Sequence, residues 1–101
     1  MAGPLVLDHD AIAAVCRRYG VRRLVVFGSA VTDRFDEATS DVDFLVEFDD
    51  SIKDRFDAFF GLQDDLEALM GRRVDLVART ALENPYFAAR FAQDSQELYA
   101  A

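Results

Sequence analysis

Apolar positions fall in blocks whose period changes along the chain. Residues 1–7, with Gly3 and Pro4, read as a short extended lead. Asp8 is a candidate N-cap, and Ile12, Val15, Cys16 and Tyr19 follow at the i, i+3, i+4, i+7 spacing of one helix face; Gly20 stops that helix. Residues 22–27 carry the unbroken run Leu24, Val25, Val26, Phe27, a first buried strand. Gly28 breaks it, 29–33 suits a short helical turn, and 33–40 is a polar loop with Asp36, Glu37 and Thr39 solvated. A second strand at 42–48 alternates, with Val42, Phe44, Val46 and Phe48 on one face and Asp43, Leu45 and Glu47 on the other. Asp49, Asp50 or Ser51 can then cap a helix running to Met70, with Ile52, Phe56, Phe59, Phe60, Gln63, Leu66 and Met70 as its stripe, the phenylalanines as core. Gly71 closes it, residues 73–78 form a third strand around Asp75, and Pro85 opens a final helix with Phe87, Phe91 and Leu98 on one face. The order helix, strand, strand, helix, strand, helix predicts an α/β domain over 1–101. The loop between the first two strands is too short for a crossover helix, so the sheet packed with these helices should be mixed.

The chemistry concentrates between Leu24 and Phe48. Asp41 and Asp43 are two residues apart, which in a strand puts both carboxylates on one face about 7 Å apart along the backbone. Like charges so placed on a half-buried sheet are costly unless a cation lies between them, and carboxylate oxygens are the ligands Mg²⁺ prefers. Gly28-Ser29, at the end of the preceding strand, supplies a closely approachable backbone, a hydroxyl and free N–H groups suited to a phosphate. Asp75 sits in Val-Asp-Leu-Val, where packing alone does not explain a carboxylate; it is a third acid of this site or the partner of Arg72 or Arg73. Cys16 reads as core, His9 as an exposed helix-start residue and Glu47 as a strand-end surface charge.

Composition changes the picture in one respect. A net charge of −8 disfavours a nucleic-acid or anionic-membrane surface and favours a basic partner. A lone cysteine makes no internal disulfide, no apolar run reaches the length of a membrane span, and the first residues lack a signal-peptide pattern; the cytoplasm is the expected compartment.

The Gly28-Ser29, the spacer of eleven residues, the Asp41-x-Asp43 and the later Asp75 together resemble the nucleotidyltransferase fold of the DNA polymerase β superfamily. More narrowly the chain resembles the minimal nucleotidyltransferases encoded beside HEPN-domain toxins, a likeness extended by Asn84-Pro85-Tyr86-Phe87 and the closing Leu98-Tyr99-Ala100. Many members carry an Arg three residues after the Ser, where this chain has Thr32 and, nearby, Arg34. The resemblance implies Mg²⁺ held by Asp41, Asp43 and Asp75, which are also the catalytic acids, and ATP phosphates against Gly28, Ser29 and Ser40. It further implies an antitoxin that moves AMP from ATP to a tyrosine of a HEPN ribonuclease toxin, in a hetero-oligomer with that toxin. Little chain remains outside the catalytic core to hold a template, a tRNA or an aminoglycoside, so a protein acceptor is expected. The alternatives are a non-catalytic antitoxin of the same fold that acts by contact alone and a stand-alone enzyme acting on a small molecule.

Overall fold

A computed structural model describes residues 7–32, 35–36 and 41–101. Helix α1 spans His9–Tyr19, and its ends are where the sequence put them. The Asp8 carboxylate accepts from the Ala11 N–H at 3.1 Å, and Gly20 closes the helix in the left-handed region. Strand β1 (Val21–Phe27) leads into a four-residue 3₁₀ turn, Gly28–Val31, and β2 follows at Val42–Phe48. Helix α2 (Arg55–Met70), β3 (Val74–Ala78), a second 3₁₀ turn (Arg79–Glu83), α3 (Pro85–Gln93) and β4 (Ser95–Ala100) complete the chain.

The sheet order is β3-β2-β1-β4. β1 runs antiparallel to β2 and β4, whereas β2 and β3 are parallel with α2 as their crossover, so the sheet is mixed as expected. β4 departs from expectation. The sequence pattern continues the last helix through Leu98; instead the helix ends at Gln93 and residues 95–100 add an edge strand to β1. The segment's apolar residues are too few to mark a strand alone, and it is held by β1's otherwise unpaired backbone.

One face of the sheet packs on α1 and α2. Leu24 and Val26, then Val42, Phe44 and Val46, alternate inward to meet Ile12 and Cys16 of α1 and Leu62 and Leu66 of α2, all essentially inaccessible. Phe35, assigned above to a polar loop, is buried with them, under the Arg72 guanidinium at 5.0 Å. The two helices approach closely at Gly61, where a Cβ would lie 2.6 Å from the Tyr19 ring. The Tyr19 hydroxyl donates to Asp65 at 2.9 Å and Arg18 to the same oxygen at 2.8 Å.

The face of α2 also differs from the expected stripe. Its N-cap is Asp54, and the buried residues are Ala58, Leu62 and Leu66, with Phe59 and Met70 partly buried; Phe56 is 76% exposed and Phe60 47%. Residues 58, 62 and 66 share one row. Residue 60 stands two steps from 62, about 200° around the helix axis at 3.6 residues per turn.

Candidate active site

The opposite face of the sheet carries the chemistry. A single cross-strand row runs Ser95, Phe27, Asp43, Asp75: Phe27 pairs with both Ser95 and Asp43, and Asp43 is in register with Asp75 on the parallel strand. Asp43 and Asp75 therefore sit on adjacent strands about 5 Å apart. β2 begins at Val42, so Asp41 lies one residue outside the strand and is exposed, while Asp43 is half-buried. Asp75 is exposed on the sheet's outer strand and forms no salt bridge with Arg72, Arg73 or any other described residue. Ser40 and Arg34 lie outside the described residues.

Burial raises the Asp43 carboxyl to about 6, helped by the charges of Asp75 and Asp41, while the charge of Arg90 pulls it down. Asp43 also explains Gly28. That residue has φ 76°, and a Cβ there would lie 2.9 Å from the Asp43 Oδ2. The Gly28 N–H donates to the Asp94 carbonyl at 2.9 Å, which ties the turn to the end of α3. In the turn the Ser29 carbonyl accepts from both the Thr32 N–H (3.0 Å) and its hydroxyl (2.9 Å), while the Ser29 hydroxyl has no partner among the described residues.

These groups line a cleft of about 520 Å³ walled by Gly28, Ser29, Asp43, Asp75, Arg90 and Asp94. Its aromatic side is Phe27, which meets the Phe87 ring edge-on and Phe91 at a tilt, both at 5.4 Å between centroids. Two further residues of the wall, Arg90 and Asp94, belong to none of the motifs named above. The signal for Arg90 was present, since it falls three residues after Phe87 and next to Phe91, on the side of α3 those rings anchor. Asp94 had no signal, because the pattern carries α3 on past it.

The donor set fits a divalent cation of the Mg²⁺ kind. Among the described residues no three acidic, histidine or cysteine groups converge to hold an ion unaided, but Mg²⁺ is commonly held by one or two carboxylates and completes its shell with water and substrate phosphates. An in-register pair of carboxylates whose mutual repulsion helps lift one of them to about 6 is such a set. A larger groove of about 900 Å³, between the start of α2 and the turn after β3, contains none of these acids. Glu47 lies there, within 3.8 Å of both Arg22 and Arg79, so it is an ion-pair residue more than a lone surface charge. Cys16 is fully buried core, as expected, and its thiol is pushed up to about 11. His9 is exposed at the start of α1.

A small mixed sheet packed with helices is the architecture of the nucleotidyltransferase fold. A profile of the nucleotidyltransferase domain matches residues 10–98, and the chain belongs to that family as one of its minimal members. It is 45% identical over 67 residues to the protein adenylyltransferase MntA of Thermococcus cleftensis, covering 66% of this chain and 65% of that one. Two solved structures share the fold at low identity. One is a toxin–antitoxin complex with AMP-PNP, at TM-score 0.68 and 20% identity, covering 94% of this chain and 75% of that one. The other is a tri-AMPylated Shewanella oneidensis HEPN toxin in complex with its MNT antitoxin, at TM-score 0.62 and 18% identity, covering 92% and 70%.

Proposed function

We propose that this chain is an antitoxin that transfers AMP from ATP, with Mg²⁺, to a tyrosine of a HEPN-domain ribonuclease toxin in the cytoplasm, bound to that toxin as a hetero-oligomer. The observation that carries the reading is the in-register Asp43–Asp75 pair opening onto the cleft beside Gly28-Ser29. The likeness to a protein adenylyltransferase supports the acceptor class. A charge of −8 supports a basic protein over a nucleic acid.

In this mechanism Asp43, Asp75 and the exposed Asp41 would hold Mg²⁺, which when bound supplies positive charge against the phosphates and makes a nearby hydroxyl more acidic. The Ser29 hydroxyl positions the triphosphate, and Gly28, whose N–H is held by the Asp94 carbonyl, contributes only a surface without a Cβ that the phosphates can approach. The tyrosine oxygen forms a bond to the α-phosphorus as the bond from that phosphorus to the β-bridging oxygen breaks, and pyrophosphate leaves with the electron pair. The phenolic proton passes to Asp75, which forms no salt bridge with a described residue, and from there to water.

The test is to incubate the purified chain with Mg²⁺-ATP and the HEPN-domain protein encoded beside its gene, then find AMP by mass spectrometry. AMP on tyrosine is expected, and Asp75→Asn should cut transfer at least ~100-fold while leaving partner binding within about twofold. Neutralisation of the partner with no AMP attached would overturn the enzymatic reading in favour of contact alone.

A further inference from the structure

We propose that Arg90 is the phosphate-gripping residue of this cleft, its guanidinium binding the β- and γ-phosphates of the nucleoside triphosphate and following them into the pyrophosphate. The inference rests on the adenylyl-transfer reading for the identity of the ligand. Its own grounds are electrostatic and geometric.

The described wall of the cleft carries three carboxylates, Asp43, Asp75 and Asp94, and one cation, Arg90. A triphosphate brings several further negative charges, and the carboxylate pair repels them. Arg90 is the described wall residue able to attract them, and its planar fork matches phosphate oxygens two at a time. It is also uncommitted: it forms no salt bridge or hydrogen bond among the described residues, although it lies close enough to Asp43 to favour that carboxylate's charged form.

Its position is fixed by packing. Asn84 caps α3 by accepting from the Tyr86 and Phe87 N–H groups at 2.9 and 3.3 Å, and Pro85 starts the helix. Phe87 and Phe91 clamp Phe27, the residue before Gly28, so the guanidinium's helix is pinned to the strand that delivers the Gly-Ser turn. A structural role would instead have Arg90 serve only to offset the charge on Asp43.

The two roles separate on the choice of nucleotide. Dissociation constants for AMP-PNP and for AMP would be measured by calorimetry, with Mg²⁺ and in EDTA, on the parental protein, R90Q and R90K. The expected result is at least a tenfold weakening of AMP-PNP binding in R90Q, AMP binding within twofold of parental, and an intermediate AMP-PNP value for R90K. Arg90 is exposed and R90K keeps its charge, so that variant should keep the parental thermal midpoint, while parental-strength AMP binding shows that R90Q, which removes a charge favouring ionised Asp43, is folded. Parental-strength AMP-PNP binding by R90Q, or equal weakening for AMP and AMP-PNP, would overturn the assignment while leaving adenylyl transfer intact. Arg90-dependent AMP-PNP binding without AMP reaching any protein would uphold Arg90 and sink the transfer reading. Failure of the parental protein to bind AMP-PNP would overturn both.

Discussion

Replacing Asp43 by Asn should abolish AMP transfer and at the same time make the metal-free protein more stable. The substitution keeps the shape of the side chain and removes its charge. Folding raises this carboxyl from 3.8 to about 6, because burial and the facing Asp75 and Asp41 oppose its ionisation. An acid with a raised folded pKa favours folding fully below its unfolded pKa, and that contribution fades as pH climbs through 3.8 to about 6. At pH 7.5 the parental chain therefore bears nearly the whole cost of about two pKa units, roughly 3 kcal/mol at most, and at pH 4.5 only about 1 kcal/mol. The Asp43→Asn variant bears none of it. Urea unfolding in EDTA at the two pH values should show a gain of about 1–3 kcal/mol at pH 7.5 that shrinks at pH 4.5. A variant less stable than the parent at pH 7.5, or a gain equal at both pH values, would refute the electrostatic account of Asp43. Retained AMP transfer would refute its place in the site.

Other outcomes follow from the packing. Leu62→Ala, in the fully buried row of α2, should cost about 2–5 kcal/mol, whereas Phe56→Ala should cost under about 0.5 kcal/mol; chemical denaturation of the pair checks which face of α2 is inward. Gly28→Ala should lower both stability, by about 1–2 kcal/mol, and transfer, since φ 76° and the Asp43 oxygen 2.9 Å away both oppose a Cβ. Cys16, with its thiol raised to about 11 and no exposed surface, should resist iodoacetamide at pH 8 until urea unfolds the chain; prompt labelling of the folded protein would contradict its burial.

The local chemistry of the sequence determined a good deal. The Asp8 cap, the Gly20 and Gly71 stops, the Pro85 start and the β1 and β2 runs are short-range signals, and each names the conformation of its own few residues. The Gly-Ser and Asp-x-Asp spacing likewise marked residues that share one cleft, Gly28, Ser29 and Asp43, while the phosphate and metal chemistry read from it is the proposal made above. Tertiary structure decided the rest. The stripe expected along α2 runs through Phe56, Phe59 and Phe60, which lie within about 100° of one another, but contact with α1 through Tyr19 and Gly61 turned the row of Ala58, Leu62 and Leu66 inward instead. Residues 95–100 became β4 because β1 had an open edge, a property of the sheet and not of that segment. Register brought Asp75 beside Asp43 across 32 positions of sequence, and α3 folded back to carry Arg90 into the same cleft. A sequence can show that an acid is out of place in a strand; the charge it faces depends on which strands and helices become neighbours.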